Sequence, residues 1–166
     1  STPCGVAVGS SALETYKKTF ECDPVSIFGG IIGMNFKVDA ATAEELNKTF
    51  LEIVMAPDFD ADALDIFNKK KNLRIIKIKN AVSDKQTWVK IDGGILVQDN
   101  DNQFSEDIQT VTVFKPSAEQ EKALLFAQRV VKYVKSNAIV VSNGFQALGI
   151  GGGQVNRIWA TQHAVE

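Results

Sequence analysis

The chain has 166 residues, 45% of them apolar, which is enough for one well-filled domain that buries most of its apolar surface. Its formal charge of −2 at pH 7 gives no general attraction to nucleic acid or acidic membranes, so neither is predicted as a partner. The two cysteines lie far apart, and no apolar run approaches the roughly 18 residues that a membrane span needs. The composition predicts a cytoplasmic protein with small-molecule partners.

Helix and strand patterns alternate along the first half of the chain. Ser11 and Glu14 have capping-box spacing, which predicts the start of a helix. The apolar run 27–34 predicts a strand buried on both faces. Gly29 and Gly30 lie inside that run, and adjacent glycines in a strand indicate a bulge or the close approach of a ligand or another backbone.

Two further helices are predicted to begin after aspartate N-caps at Asp39 and Asp60. Each is followed by an apolar run typical of a strand, 51–57 after the first helix and 73–78 after the second. Strands that alternate with helices predict a mixed or parallel sheet covered by helices. The predicted fold class is therefore α/β.

The middle of the chain is less regular. Residues 88–98 predict a β-hairpin around an Asp-Gly turn, and residues 110–113 predict an edge strand. A capping box formed by Ser117 and Gln120 predicts the start of the longest helix. The buried face of that helix is predicted to comprise Leu124, Leu125, Ala127, Val130, Val131 and Val134.

Residues 134–157 concentrate polar groups that suit a binding site. Asn137 stands at the mouth of an apolar β-branched run, where its amide offers donors and an acceptor to a molecule outside the strand. The glycine triplet 151–153 lets backbone N–H groups approach a ligand closely. A helix predicted to begin near Gln154 carries Arg157 one turn later, and a helix N-terminus favours an anion. This stretch predicts an anionic small-molecule site.

Residue types argue against three chemistries. Pro3-Cys4 resembles half of the Pro-Cys-x-x-Cys motif of zinc-dependent nucleoside deaminases, but Ala7 stands where the second cysteine is required. The only histidine is His163, predicted to face solvent on the last helix, so a catalytic zinc site lacks ligands and a Ser-His-Asp triad lacks a suitable base. The run 149–154 ends in Gln instead of the Gly or Ala of a dinucleotide fingerprint.

Six blocks of sequence, in order across nearly the whole chain, resemble the AICAR transformylase family, the formyltransferases of late purine biosynthesis. The blocks are Pro3-Cys4-Gly5-Val6-Ala7, Asp23-Pro24-Val25-Ser26-Ile27-Phe28-Gly29-Gly30, Ala56-Pro57-Asp58-Phe59, Lys69-Lys70-Lys71-Asn72, Val134-Lys135-Ser136-Asn137-Ala138, and Gly149-Ile150-Gly151-Gly152-Gly153-Gln154 with Arg157. Each block alone is modest, and the combination is specific.

The resemblance implies a cytidine-deaminase-like three-layer fold, with a mixed sheet covered by helices and no zinc. Residues 1–166 would form a single domain, the first of two related halves. The implied activity is transfer of a formyl group from the cosubstrate 10-formyltetrahydrofolate to AICAR, in a protein that is homodimeric at full length and often fused to an inosine monophosphate cyclohydrolase domain. A monovalent cation is left open.

The resemblance also implies that this chain alone is inactive. The family carries a Lys-His pair just upstream of the Pro-Cys-Gly block, and the present sequence starts after that point, without Met and without the second half. We therefore expect a fragment. The alternative function is a non-catalytic nucleotide-binding or interaction module derived from the same fold.

Roles for particular residues follow from the resemblance, and no metal ligand is among them. Asn137 is the catalytic candidate, an amide that positions the amine of AICAR and the formyl oxygen. The substrate-binding candidates are Arg157 with Gly151, Gly152 and Gln154 for the nucleotide phosphate or ribose, Phe28 and Gly29 for the base and folate pocket, and Glu52 for ribose hydroxyls. The alternatives are a helix cap for Asn137, a core position for Phe28, a surface charge for Arg157 and a solvated edge position for Glu52.

Overall fold

The computed structural model describes residues 2–79, 84–104 and 108–166. In chain order the described elements are α1 (Ala12–Cys22), β1 (Gly30–Gly33), α2 (Ala40–Leu46), β2 (Leu51–Ala56), α3 (Ala61–Phe67), β3 (Arg74–Lys77), β4 (Gln86–Ile91), β5 (Gly94–Asp99), α4 (Ala118–Val131), β6 (Ile139–Asn143), β7 (Gln146–Gly151) and α5 (Arg157–Val165). None of the described helices is both long enough and apolar enough to cross a membrane.

A parallel sheet with the strand order β1-β2-β3 organises the first half of the chain. α2 and α3 connect its strands, as parallel pairing requires. The core lies between this sheet and its helices, where Ala43, Leu46 and Val54 are at most 1% exposed. The predicted α/β alternation is confirmed.

The first strand is shorter and more exposed than its apolar sequence predicts. β1 covers only Gly30–Gly33, and Ile31 is 54% exposed, so the prediction of a strand buried on both faces is wrong. β1 is an edge strand of its sheet, and an apolar run does not distinguish an edge strand from a central one. The register with β2 shifts between Gly30 and Ile31, but the extra residue is Glu52 of β2, so the irregularity lies opposite the glycines and not in their own strand. Close approach of backbone, the other prediction for these glycines, is observed at Gly30, where a Cβ would lie 2.7 Å from the Ile27 carbonyl oxygen.

Aspartate begins both crossover helices, as predicted. Asp39 Oδ1 accepts a hydrogen bond from the Thr42 N–H at 2.8 Å, which caps α2. Asp60 occupies the N-cap position of α3, but its carboxylate forms an ion pair with Lys37 at 2.5 Å instead of a side-chain cap.

At α1 the predicted capping box is only half formed. Ser11 Oγ accepts from the Glu14 N–H at 3.3 Å. The Glu14 carboxylate turns to Lys18 at 2.6 Å and to the N–H and hydroxyl of Ser10. Lys18 first, and then Ser10, lower the pKa of Glu14 to about 2.

An antiparallel unit forms the second part of the fold. β6 and β7 pair as a hairpin whose two-residue loop is Gly144-Phe145, because Asn143 pairs with Gln146 and Gly144 has a φ of 58°. On its other side, β7 is joined to the segment after Cys4, since Ala7 forms an antiparallel bridge with Gln146. Gln146 Nε2 also donates to the Lys18 carbonyl oxygen at 2.9 Å, which ties α1 to the same strand.

The longest helix, α4, begins with the predicted capping box, in which Ser117 and Gln120 exchange both hydrogen bonds. Its most buried residues are Phe126 and Val130, which lie four residues apart on one stripe facing β6. Leu124 is 59% exposed, so its assignment to the buried face is wrong. The buried stripe of α4 is narrower than the set of apolar residues on that helix, because α4 packs on one side only, against the two-stranded sheet of β6 and β7.

Residues 110–113 do not form the predicted edge strand. Val111 and Val113 are almost fully exposed, and the segment pairs with no described strand. A β-branched alternating sequence has strand propensity, but it becomes a strand only where a neighbouring edge satisfies its backbone.

Candidate functional site

Asn137 is held against the glycine bend, which we define as residues 152–154, by three hydrogen bonds to Gln154. The Asn137 N–H donates to the Gln154 carbonyl oxygen at 3.0 Å, and the Gln154 N–H donates to the Asn137 carbonyl oxygen at 3.3 Å. Asn137 Nδ2 donates to the same Gln154 oxygen at 3.0 Å. Nearby, the Gly153 N–H donates to the Lys135 carbonyl oxygen at 2.6 Å. Two segments that are far apart in the chain are thus fastened together.

The Asn137 amide keeps hydrogen-bonding capacity after these contacts. Its side chain is half-buried, and one of its two N–H donors is used by Gln154. No described residue donates a hydrogen bond to its Oδ1. The alternative role as a helix cap is wrong, because the C-cap of α4 is Lys132, five positions earlier. The amide is therefore able to accept from an amine and to donate to a carbonyl oxygen.

Arg157 is the first residue of α5, so the prediction of a helix beginning near Gln154 is wrong. The helix begins later because Asn156 caps it, its Oδ1 accepting from the Trp159 N–H at 2.8 Å. The Arg157 side chain is exposed and forms no ion pair with any described residue. A cation at a helix N-terminus adds to the positive end of the helix dipole, so this position attracts an anion.

The glycines around the bend serve tight packing. A Cβ on Gly151 would lie 2.0 Å from the Ala160 carbonyl oxygen of α5. On Gly152 it would lie 2.3 Å from Val134 Cγ1. Gly153 has a φ of 69°, which reverses the chain towards α5. Tight packing and the positive φ explain why these positions are glycines. A ligand contact for Gly151 or Gly152 stays a prediction.

The beginning of the chain lies next to the same bend. Thr2 Cγ2 is 3.7 Å from the position that a Cβ on Gly152 would occupy. Gln154 is half-buried, and its Nε2 donates to the Gly152 carbonyl oxygen at 3.4 Å. Thr2, the glycine bend and Asn137 therefore form one neighbourhood, which we call the Asn137 group.

Phe28 and Gly29 lie in a second group at the start of β1. The Gly29 N–H donates to the Phe50 carbonyl oxygen at 2.8 Å, and the Phe28 and Phe50 rings pack with centroids 5.2 Å apart. Phe28 is 71% exposed, so its alternative assignment to the core is wrong. Glu52 is exposed on β2, and because β2 is the central strand of its sheet, the edge position is also wrong. We call these residues the Phe28 group.

The structure leaves the two groups apart. Across the described ranges, no hydrogen bond, ion pair or ring contact joins the Asn137 group to the Phe28 group. Phe50 was not identified from the sequence as a partner of Phe28, because the parallel register that sets them side by side is a tertiary property. The sequence identified Asn137 and Gln154 as separate candidates, but it did not predict that they hydrogen-bond to each other.

Other reactive side chains stay outside these groups. His163 is an exposed residue of α5, as predicted. Cys4 and Cys22 are free thiols, and burial is the main cause that raises the pKa of each. The described residues contain no cluster of three or more His, Cys, Asp or Glu side chains that could hold a metal ion.

Comparison with known proteins adds a family to this geometry. The sequence model of the AICARFT/IMPCHase bienzyme matches residues 1–166. The chain is similar to proteins named bifunctional purine biosynthesis protein PurH. It is 57% identical over 166 residues to the one from Fusobacterium nucleatum, 58% to that from Brachyspira hyodysenteriae and 56% to that from Clostridium botulinum strain Hall.

Each of these alignments covers the whole of this chain and 33% of the relative. The chain thus spans about a third of the length of the curated relatives that it matches. The family model matches every residue of the chain, and the relatives are more than 50% identical to it over that length. The chain therefore belongs to the AICARFT/IMPCHase bienzyme family.

Proposed function

We propose that this chain supplies one wall of the active site of an AICAR transformylase, which transfers a formyl group from 10-formyltetrahydrofolate to the 5-amino group of AICAR. The Asn137–Gln154 pairing carries the proposal, because it fixes a partly free amide beside a glycine bend that leads to Arg157. Membership of the AICARFT/IMPCHase family and similarity to proteins named bifunctional purine biosynthesis protein PurH support it. The proposed fold is the cytidine-deaminase-like three-layer arrangement.

The role proposed for Asn137 follows from the reaction. The aromatic amine of AICAR is a poor nucleophile, so its attack on the formyl carbon requires removal of a proton and stabilisation of a tetrahedral oxyanion. The Oδ1 of Asn137 would accept from the amine and orient it, while the second N–H of Nδ2 would donate to the formyl oxygen. Because three hydrogen bonds already hold Asn137, little reorganisation would accompany the reaction.

Arg157 would bind the phosphate of AICAR. Its guanidinium is exposed, has no described ion-pair partner and lies at the positive end of α5. Guanidinium groups bind phosphate oxygens through parallel charge-assisted hydrogen bonds. The glycine bend would lie beneath the ribose, with Gly152 and Gln154 forming its backbone surface and Gly151, at the end of β7, next to them.

The Phe28 group would hold the aromatic parts of the ligands. Phe28 and Phe50 form an exposed apolar pair whose rings are tilted by 40° to each other, and a ligand ring would pack against the face of Phe28. Glu52, two positions after Phe50, would accept hydrogen bonds from ribose hydroxyls. Since the two groups do not touch within this chain, other parts of the protein would complete the site.

The remaining catalytic groups would come from outside this chain. In the family, a Lys-His pair precedes the Pro-Cys-Gly block, and the contact between Thr2 and Gly152 would bring such a pair beside Asn137. Residues 1–166 would be the first of two related halves of the transformylase domain. A full-length cytoplasmic homodimer would supply the second half and complete the folate site.

Calorimetric titration of the chain with AICAR tests the nucleotide wall. We expect binding that weakens about tenfold or more in Arg157→Gln, since a charge-assisted contact to phosphate is lost. Arg74→Gln, which removes an exposed arginine on β3, is the matched control and should bind like the wild type. The same titration with the nucleoside that lacks the phosphate should show almost no difference between Arg157→Gln and wild type.

A formyl-transfer assay separates an enzyme from a binding module. The chain alone should give a rate near zero, and the full-length protein that contains it should be active and lose activity in Asn137→Ala. Nucleotide binding without transfer in the full-length protein would instead support a non-catalytic module. Absence of AICAR binding in both the chain and the full-length protein would reject the proposal.

A further inference from the structure

The turn of residues 47–50, which joins α2 to β2, carries the backbone on which the Phe28 group is built. Asn47 is the C-cap of α2, and Leu51 is the first residue of β2. Between them, Phe50 packs its ring against Phe28 and accepts the Gly29 N–H on its carbonyl oxygen at 2.8 Å. The position of this turn therefore determines where the Phe28 ring and the Gly29 backbone lie.

Lys70 reaches the 47–50 turn from the segment after α3. Its Nζ donates to the Asn47 carbonyl oxygen at 2.5 Å and to the Thr49 carbonyl oxygen at 2.9 Å. No other described residue donates a hydrogen bond to either oxygen. The last carbonyl groups of a helix have no partner within it and form the negative end of its dipole, so a cation is well suited to hold them.

The backbone of Lys70 is itself fixed on both sides. Its N–H donates to the Phe67 carbonyl oxygen at the end of α3 at 2.9 Å, and its carbonyl oxygen accepts from the Leu73 N–H at 3.3 Å. The Lys70 side chain is half-buried and forms no ion pair with a described residue. Its ammonium group therefore holds backbone carbonyls and does not pair with a carboxylate.

The two neighbouring lysines do not share these contacts. Lys69 and Lys71 are exposed, and their ammonium groups form no ion pair or hydrogen bond with a described residue. Three adjacent lysines look equivalent in the sequence, and only the contact with the 47–50 turn distinguishes Lys70 from the others.

Glu52 depends on the same turn for its position. It lies two residues after Phe50, and the register of β2 with β1 passes from Leu51 to Ile53 without pairing Glu52. The pairing of β2 with β3 begins only at Ile53. Because neither neighbouring strand pairs with Glu52, its placement is set by the chain that leads into it, which is the 47–50 turn.

We propose that Lys70 is the positioning residue of the nucleotide site formed by the Phe28 group, where its ammonium holds the 47–50 turn so that Phe28 and Glu52 meet the base and the ribose. No described hydrogen bond or ion pair joins the Lys70 side chain to Phe28, Gly29 or Glu52, so Lys70 acts through the turn and not on the ligand. The inference rests on the proposed function, since the contacts that Lys70 positions are those proposed for AICAR.

Steady-state formyl transfer by the full-length protein tests this role. Lys70→Met keeps the length of the side chain but removes the ammonium group, and the KM for AICAR should rise about tenfold while kcat stays within about threefold. Partial unfolding would instead lower the apparent kcat and leave KM unchanged, because fewer molecules would be active. Lys69→Met removes an equal charge one position away and is the matched control, which should keep both constants within about twofold.

Combination with a second substitution shows which residues Lys70 acts through. In a Glu52→Ala background, Lys70→Met should raise the KM for AICAR less than about threefold, because a contact that Lys70 positions is already lost. In an Arg157→Gln background the two effects should multiply, since Arg157 does not belong to the Phe28 group. An effect of Lys70→Met that is equally large in both backgrounds would overturn the inference.

Hydrogen exchange in the full-length protein without ligand tests the structural step alone. In Lys70→Met, peptides that contain the Gly29 amide should exchange at least about fivefold faster, because its acceptor on Phe50 is no longer held. Peptides from the centre of β2 should exchange as in the wild type, and Lys69→Met should leave the Gly29 amide unchanged.

Unchanged exchange at Gly29 in Lys70→Met would overturn the inference, because Lys70 would then not hold the turn. Faster exchange there with an unchanged KM for AICAR would overturn it as well, because the turn would then not position the site. Absence of AICAR binding in the wild-type protein would reject the proposed function and this inference together. Normal binding by the wild type with no effect of Lys70→Met would reject this inference alone, so the two failures are distinguishable.

Discussion

Gly151 and Ala160 bring β7 and α5 together backbone to backbone. A methyl group on Gly151 would stand 2.0 Å from the Ala160 carbonyl oxygen, and one on Gly149 would stand 1.8 Å from the Ala164 carbonyl oxygen. Ala160 and Ala164 are themselves buried. The helix that carries Arg157 is therefore seated on two glycines of one strand, which fixes the direction in which it leaves the glycine bend.

Gly151→Ala should destabilise the chain by roughly 2 kcal/mol, because the backbone of α5 has to move to admit the methyl group. Urea unfolding measures the change. Gly94→Ala is the control, since a Cβ there would meet only the Ile91 side chain at 3.9 Å, and its effect should stay within about 0.5 kcal/mol. Equal effects of the two substitutions would contradict the close packing of the α5 backbone against β7.

Asn137→Ala should lower the free energy of unfolding by about 1 kcal/mol, because the bond from Nδ2 to the Gln154 carbonyl oxygen is lost while the backbone bonds remain. Ser136→Ala, which changes the exposed neighbouring side chain, should have no effect beyond about 0.5 kcal/mol. Urea unfolding of both variants gives the comparison. If Asn137→Ala were as stable as the wild type, the side-chain bond would not contribute.

Lys132→Met should loosen the segment that follows β5, residues 100–104, from α4. The substitution keeps the length of the side chain but removes its contacts with Gln103, Asp101 and the Phe104 ring, which together are worth about 1 kcal/mol. Hydrogen exchange should become faster in residues 99–104 and stay unchanged in β2. Lys122→Met, on an exposed part of α4, is the control. Unchanged exchange at residues 99–104 would show that other contacts hold this segment.

Asp39 should stabilise α2 in a pH-dependent way. Hydrogen bonding from Thr42 lowers the pKa of Asp39 below its ordinary value of 3.8. A carboxyl group whose pKa is lowered by folding contributes stability that is present above its ordinary pKa and is lost as the pH falls through the folded value. Asp39→Ala should therefore cost about 1 kcal/mol at pH 7 and less at pH 3.

The control for this cap is Asp39→Asn, which retains an oxygen that can accept from the Thr42 N–H. Its stability at pH 7 should be close to that of the wild type, and its pH dependence should be smaller. Urea unfolding at pH 7 and pH 3 measures all three proteins. A cost of Asp39→Ala that does not change with pH would show that the carboxylate charge is irrelevant to the cap.

Local structure was largely predictable from the sequence. The caps at Asp39 and Ser117, the Asp92-Gly93 turn and the alternation of strands and helices follow from neighbouring residues. Such features depend on contacts within a few positions of the chain, and residue types at fixed spacing report them directly. The family resemblance was equally a property of the sequence, and the match over residues 1–166 confirms it.

What the tertiary structure decided was which surfaces meet. The sequence named Asn137 and Gln154 separately, but their mutual hydrogen bonds join residues 17 positions apart, and the tilted contact between Phe28 and Phe50 depends on a strand register. The exposure of Ile31 and Leu124 and the unpaired residues 110–113 depend on which neighbours cover them. Hydrophobic periodicity indicates that one face of a helix or strand is apolar. Only the packing of segments distant in the chain determines whether another part of the molecule covers that face.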